Sequence, residues 1–277
     1  MTGPSLTVHC LVKNEQRWIW FALKSILDYA DEILVWDTGS TDRTVETVNG
    51  LNSPKIKFKQ MAVSSPEEHT ALRQQMLKAT HSDWFFILDG DEVWWRESVR
   101  QVREAIKNNP GMAGIITPFY NAVGDVFHHQ TPDAIHYRIH EFFGGFTIRA
   151  INRRLPGLHL ANPHGRQEYR TRGIALQNLP RHRLLFVDAP YLHLTHLHRS
   201  VGRSHDRSTL KRVMKYRYEL GTNFPHDFVF PDVFYLTRSD TAPSPFIRRS
   251  VFYTTIAAAI TPLRWIKSRV TPHRESY

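Results

Sequence analysis

Residues 5–48 read SLTVHCLVKNEQRWIWFALKSILDYADEILVWDTGSTDRTVETV. This stretch decides the fold, because its hydrophobic period changes from one segment to the next. Ser5–Val12 is a short β-branched and apolar run, the pattern of a strand. Glu15–Ala30 spaces its apolar residues at helical intervals, with Trp18 and Trp20 on the core side. Glu32–Asp37 is a second strand. The chain then turns at Gly39 and enters a helix for which Ser40, Thr41 or Asp42 is the N-cap.

The same alternation continues outward. KIKFKQM is a third strand, alternating enough to be half exposed, and SPEEHTALRQQMLKAT is a helix with a serine cap and Pro66 in its first turn. DWFFILD is the next strand, and ESVRQVREAIKNNPG is an amphipathic helix ended by Asn-Pro-Gly. Strand and helix repeated four times predict an α/β fold with a mostly parallel, Rossmann-like sheet covered by helices. Right-handed crossovers put the strand C-termini on one edge, where ligands bind. Lys13-Asn14-Glu15, Asp37-Thr38-Gly39-Ser40 and Asp89-Gly90-Asp91 are then expected around one crevice.

After about residue 111 the alternation fades into short strand-like pieces broken by Gly and Pro, which predicts a partly antiparallel extension of the same domain. The expected organisation is a first half over 1–110, a second over 111–221 and a basic C-terminal region over 222–277. A basic helix is expected over Arg207–Gly221. The two parts differ in charge. Residues 1–110 hold 13 Lys+Arg against 15 Asp+Glu, and residues 111–277 hold 23 against 11, a balance of −2 and +12. Basic surface attracts nucleic acid, anionic lipid or phosphorylated substrates, and charge alone does not choose. One cysteine, Cys10, excludes an intrachain disulfide and a cysteine-built zinc site. No signal peptide is read at the N-terminus, and a cytoplasmic location is expected.

DWFFILDGDEVWW, residues 83–95, sends a dry strand into three acids. Asp89 and Asp91 repel unless a cation lies between them, and carboxylates with phosphate oxygens and water suit Mg²⁺ or Mn²⁺. Gly90 is read as the residue that allows a tight backbone turn, with Asp91 at an exposed strand end. The plainer alternative makes Asp89 a cap of the next helix. Trp94 and Trp95 either stack on a sugar or pack that helix.

VKNE, DTGSTDRT, LRQQ and DWFFILDGDE, in this order across residues 5–110, resemble family 2 glycosyltransferases, the inverting nucleotide-sugar enzymes with the GT-A fold. RLPGLHLANPHGRQEY and LHLTHLHRS resemble the acceptor-side loop and the closing histidine segment of such enzymes. The resemblance implies that Lys13, Asn14 and Glu15 meet the nucleotide, that Asp37 meets a uracil base, and that Arg73 approaches the diphosphate. It implies Asp91 as first metal ligand and Asp89 as the residue that reaches ribose or a metal-bound water.

Inversion needs a base for the acceptor hydroxyl. Glu168 is the candidate, with Asp125, Glu141 and Glu92 as competitors, and an ion pair with Arg166 or Arg170 as the structural alternative. Of the histidines in LHLTHLHRS, His196 and then His193 are candidates to complete the metal site. On a continuous strand those two would face opposite sides, so a zinc trio with His198 is excluded. Arg199 and Arg203 are candidate diphosphate clamps.

The expected activity is therefore metal-dependent, with Mn²⁺ or Mg²⁺, moving sugar from a nucleoside diphosphate donor to a hydroxyl on a glycan or lipid-linked acceptor. A nucleotidyltransferase would need a glycine-rich loop after the first strand, and LVKNEQRW has none. A basic nucleic-acid-binding protein would need a recognised motif, and none is seen, so no nucleic acid is expected. Val251–Ile266 is largely apolar, contains Pro262 and is flanked or interrupted by Arg248, Arg249, Arg264, Lys267 and Arg269. It is too short to span a bilayer. It reads as an interfacial helix at the inner face of the cell membrane, or as a helix packed on the domain.

Overall fold

The computed structural model describes residues 3–131, 134–135, 137–200 and 218–270, with the backbone alone over 264–270. The first half follows the sequence closely. Strand β1 (Leu6–Val12) is buried throughout, and helix α1 (Ile19–Ile26) turns seven of its eight residues inward. The expected helix from Glu15 is shorter because Glu15 O already accepts from Trp18 N and Ile19 N in a preceding turn. Strand β2 (Glu32–Asp37), helix α2 (Thr44–Asn49) and strand β3 (Ile56–Gln60) follow. The N-cap of α2 is Arg43, with no side-chain cap bond, rather than Ser40, Thr41 or Asp42; Asp42 Oδ1 still accepts from Thr44 N just before the helix, at 3.0 Å. Helix α3 (Pro66–Ala79) starts as expected, with Ser65 Oγ accepting from Glu68 N at 3.1 Å and Glu68 reaching back to Ser64 N at 2.7 Å.

Strand β4 (Trp84–Ile87) is buried on both faces, as a central parallel strand must be. The segment after the acids is not helix at once. Glu92–Trp94 forms a short strand, β5, and helix α4 (Arg96–Asn108) begins after Trp95. Asp89 therefore does not cap that helix. Trp94 is buried and stacked on Tyr191 at 4.6 Å, and the indole of Trp95 donates to Val229 O, so both tryptophans pack the domain.

The second half is built of β6 (Gly114–Val123), β7 (Asp125–His129), the β8–β9 hairpin (Tyr137–Ile139 and Phe142–Gly144) and β10 (Phe146–Asn152). A small sheet of β11 (His159–Ala161), β12 (Glu168–Thr171) and β13 (Ile174–Ala175) comes next, then β14 (Leu184–Phe186), β15 (Tyr191–His193) and β16 (Thr222–Asn223). The main sheet runs β16-β7-β6-β10-β4-β1-β2-β3. β4, β1, β2 and β3 are parallel, while β10 is antiparallel to both β4 and β6. This is the expected mostly parallel α/β sheet with a partly antiparallel extension. The basic helix expected from Arg207 lies outside the described residues up to 217, and residues 218–220 are not helical.

Strand order 4-1-2-3 makes β1 the strand from which the chain leaves in one direction, to β2 and β3, and beside which it later places β4 on the other side. The crevice between the C-terminal ends of β1 and β4 is therefore the topological switch point, where open α/β sheets bind ligands. Short β5 pairs antiparallel with β15, setting His193 opposite Glu92. That pairing folds the second half back over the crevice.

Candidate active site

The acids come from the two strand ends at the switch point. Glu15 follows β1, and Asp89, Asp91 and Glu92 follow β4. Glu92 N bonds to Asp89 O at 3.0 Å and Glu92 Oε2 accepts from Asp89 N at 3.2 Å, which closes the loop on itself. Gly90 is required for space rather than for turning. Its φ is not positive, but an added Cβ would stand 3.0 Å from both Val12 Cγ2 and Glu15 Cγ. The absent side chain lets the β1 and β4 ends approach. Asp91 and Glu92 are buried, so Asp91 is not at an exposed strand end, whereas Asp89 leaves 35% of its side chain open.

Among the described residues, four cationic or ionisable groups close around these acids. Arg73, buried on α3, donates to Asp89 Oδ1 at 2.9 Å. Arg149, buried on β10, lies 3.7 Å from Asp89 Oδ2, bonds Glu92, and donates from Nε to the Tyr191 hydroxyl at 3.0 Å. Arg199 bridges Glu15 Oε1 at 2.7 Å and Asp91 Oδ2 at 2.9 Å. His193 Nε2 is 3.6 Å from Asp91 Oδ1.

The electrostatics divide the acids. Burial would raise the Asp89 carboxyl, but Arg73 and Arg149 outweigh it and hold it at about 2. Asp91 is likewise held far below the usual carboxylate range by Arg199 and His193 against the effect of burial. Glu92 goes the other way: burial pushes it up to about 7 despite Arg149. Burial also raises Glu15 well above its ordinary value, Arg199 compensating only in part. Burial alone would lower His193, yet Asp91 and Glu92 raise it.

The other expected residues divide into those joined to this cluster and those held elsewhere. Asn14 takes a positive φ of 54° at the end of β1, and its Oδ1 accepts from Thr41 N at 2.8 Å. Lys13 is exposed beside it. Asp37 is buried in its own turn, where Oδ2 accepts from Gly39 N at 3.1 Å and Ser40 N at 3.0 Å. His196 stands on Asn121, whose Nδ2 is 3.1 Å from its Nε2, because the strand stops at His193 and the chain turns. The continuous strand expected through His196 does not form.

Glu168 is buried on β12, with Oε1 accepting from Asn162 at 3.1 Å and from Arg170 Nε at 2.7 Å, and Oε2 from Gln177 at 3.0 Å. Its neighbour Tyr169 is the residue of that strand that lies beside Arg73, with its phenol pushed up to about 12 by burial. Successive strand residues face opposite sides, so Glu168 is not joined to the acidic cluster. Of its competitors, Asp125 is buried against His128 and Arg249 N, and exposed Glu141 pairs with Arg181. Arg203 lies outside the described residues. Arg149 and Tyr191 were missed in the sequence. Only the β10–β4 and β15–β5 pairings reveal them, and a lone arginine in TIRAINRR carries no such signal.

The family model for glycosyl transferase family 2 matches residues 7–168, more than half of the chain. The chain belongs to glycosyl transferase family 2. The match starts on β1 and ends at Glu168, so it covers the acids, Arg73 and Arg149. The family 2 chain is 25% identical over 104 residues to the SPbeta prophage-derived glycosyltransferase SunS of Bacillus subtilis, covering 38% of this chain and 24% of that protein. It is 28% identical over 103 residues to a TPR repeat-containing protein of Synechococcus elongatus, again 37% of this chain and 24% of the relative. It thus spans about a quarter of the length of these curated relatives. Among solved structures, that of a mycobacterial protein superposes with a TM-score of 0.50 at 14% identity, covering 78% of this chain and 74% of the other, which supports the fold.

Among the described residues, no three His, Cys, Asp or Glu side chains converge as a ready metal cage. The donor set nonetheless fits a divalent ion that takes most of its ligands from phosphate and water. Asp91 Oδ2 and Glu15 Oε2 are buried with no hydrogen-bond partner. The Asp91–Arg199 contact at 2.9 Å is therefore an ion pair whose angles make no hydrogen bond. Asp91 and His193, on facing segments, provide an oxygen and an imidazole nitrogen on one side of the crevice.

Proposed function

We propose that this family 2 chain is an inverting glycosyltransferase that takes a sugar from a nucleoside diphosphate, with uridine the expected nucleoside, and passes it to a hydroxyl on a glycan or lipid-linked acceptor. One observation carries this reading. At the switch point, Asp89 pairs with Arg73 and Arg149, while Glu15 and Asp91 share Arg199 and Asp91 also meets His193, and Glu15 and Asp91 each keep a buried oxygen with no hydrogen bond. Such a shell suits a ligand that is itself highly charged and arrives with a cation. Mn²⁺ or Mg²⁺ would be held by Asp91 and His193 and would supply Lewis-acid stabilisation of the departing diphosphate.

The chain's own groups do the rest. Arg73 and Arg199 offer fixed positive charge where the leaving group gains negative charge, without reorganisation during the reaction. Asp89, the open member of the cluster, is ionised at neutral pH and accepts hydrogen bonds from ribose hydroxyls. Asp37 and the Asn14–Thr41 turn hold the β1 and β2 ends as the walls of the base pocket. The diphosphate leaves without needing a proton, so a single base for the acceptor suffices. Two acids compete for that role: Glu92, inside the cluster, and Glu168, a buried carboxylate oriented by Arg170, Asn162 and Gln177 on the opposite face of β12.

The test is release of nucleoside diphosphate from a panel of sugar nucleotides, with and without Mn²⁺. Metal-dependent release from a uridine donor is expected, and the base is whichever of Glu92 and Glu168 lowers turnover about 100-fold or more, at unchanged donor affinity, when changed to Gln. No release from any donor overturns the reading. Unchanged turnover in Glu168→Gln restricts that residue to clamping its hairpin.

A further inference from the structure

The C-terminal helix, Val251–Val270, docks through a stripe of its described residues. The Tyr253 hydroxyl lies 3.3 Å from both the N and the O of Glu219. Thr261 Oγ1 accepts from Leu220 N at 2.9 Å, and Ala257, midway between them, is fully buried. These positions are four residues apart and share a face. The ring of Tyr253 passes so close to Gly124 that a Cβ there would lie 2.7 Å from it. The docking is thus specific, and among the described residues it leaves Val251, Phe252, Thr255, Pro262 and Leu263 exposed.

The outward side is apolar. Val251 is 83% exposed, Phe252 70% and Leu263 67%. Ile247 is exposed immediately before the helix, and so are Tyr235 and Leu236 on a loop whose Tyr235 ring lies 5.5 Å from Phe246. Exposed large apolar side chains therefore continue from that loop, across Phe246-Ile247, to the start of the helix. Contiguous exposure of this kind marks an interaction surface. Among the described residues, no helix is long and apolar enough to cross a membrane.

Charge selects the occupant. Residues 241–270 contain Arg248, Arg249, Arg264, Lys267 and Arg269 and no Asp or Glu. Arg248 is exposed, its guanidinium 4.2 Å over the Phe127 ring, while Arg249 turns inward to Leu220 O at 2.6 Å; beside the apolar loop Arg238 is exposed together with Asp232 and Asp240. A second copy would set the five basic residues of 241–270 against their own kind, with no acid in that segment to pair them. An anionic lipid surface offers an apolar phase for Phe252 and Val251 and counter-charge for the arginines.

We propose that this face, made of the outward side of the C-terminal helix with Ile247, Tyr235 and Leu236, is a peripheral docking surface for an anionic bilayer. The helix lies in the plane of the interface, with Phe252, Val251 and Leu263 among the acyl chains. The proposal deepens the transfer reading by fixing where a lipid-linked acceptor would be met, and it rests on that reading for the acceptor alone.

The experiment is co-sedimentation of the full chain with vesicles of phosphatidylcholine, alone or mixed with phosphatidylglycerol, at low and high salt. Binding is expected to the phosphatidylglycerol-containing vesicles at low salt and to be lost at high salt. The double variant Val251→Asp, Phe252→Asp should weaken binding roughly tenfold or more. Both side chains are exposed, so its melting temperature and nucleotide affinity should match the parent's. Parent protein left in the supernatant at low salt overturns the proposal, as does a double variant that sediments like the parent. A concentration-dependent dimer abolished by the double variant, without vesicle binding, assigns the face to a second copy instead. Vesicle binding without nucleotide binding would leave this surface standing and sink the transfer reading; the reverse would do the opposite.

Discussion

The two halves of the chain contribute opposite charges to one site. The acids at the switch point, Glu15, Asp89, Asp91 and Glu92, all come from the first 110 residues. Of the groups that neutralise them, Arg149, His193 and Arg199 come from the second half, and Arg73 alone comes from the first. The difference between −2 and +12 along the sequence is thus in part the two sides of a single electrostatic interface. A parallel sheet makes this division natural, since its strand ends share one edge and can be closed only by chain returning from elsewhere. The acid half builds the floor, and the basic half supplies the lid of charge.

The most severe way to break the comparison is to remove a cation of the second half. Arg199→Ala leaves buried Glu15 without its guanidinium and Asp91 with His193 alone, and Arg149→Met strips buried Glu92 of its ion pair. Each should cost about 3–5 kcal/mol, read as a fall in the urea midpoint. Arg43→Ala, which breaks an exposed pair with Glu46 on α2, is the control and should leave the midpoint unchanged. A midpoint that moves equally little in all three would mean that the halves are not joined by charge.

A smaller effect is expected at the steric seam. Gly90→Ala forces a methyl against Val12 and Glu15 at 3.0 Å and should destabilise the protein by about 1–3 kcal/mol. Urea unfolding of the variant checks it, and an unchanged midpoint would return Gly90 to an ordinary loop role.

The smallest effect contrasts two buried histidines. His9, in the first half, shares a hydrogen bond with Thr80 Oγ1 at 2.6 Å and is lowered to about 3 by burial and by Arg73. His193, in the second, is raised, mainly by Asp91 against burial. A depressed folded value means that the His9 contribution is complete above the unfolded pKa near 6.5 and is lost as pH falls toward 3. His193 has the opposite sign: its contribution is present below 6.5 and lost as pH rises through its folded value. At roughly 1.4 kcal/mol per pH unit, His9→Gln should flatten the stability profile between pH 6.5 and 5 by about 1–2 kcal/mol. A profile unchanged by His9→Gln would contradict the assignment of a neutral buried imidazole.

Much of the first half was legible because its signals are local. The strand runs, the Ser65-Pro66 cap and the Gly39 turn each need only neighbouring residues, and they locate Glu15, Asp89 and Asp91 at one edge. The second half was legible only as short strands, because its partners are distant. Three-residue β5 has no period to detect, yet its pairing with β15 is what selects His193 over His196. Arg149 meets Asp89 and Glu92 across 60 and 57 positions of sequence, through an antiparallel insertion that no local pattern encodes. Gly90 was recognised as necessary, but for its backbone freedom, when the constraint lies in side chains packed from β1.

The most direct test of the account is thermal unfolding of the parent and of Asp91→Asn with a uridine diphosphate, with and without Mn²⁺. A ligand at 100 times its Kd stabilises the native state by about 2.7 kcal/mol, a shift of roughly 5–10 °C for a domain of this size. The account predicts that shift in the parent only when metal and nucleotide are both present, and its loss in Asp91→Asn, an isosteric change that keeps the fold. A parent indifferent to the nucleotide in the presence of metal, or an Asp91→Asn variant that keeps the full metal-dependent shift, would contradict it.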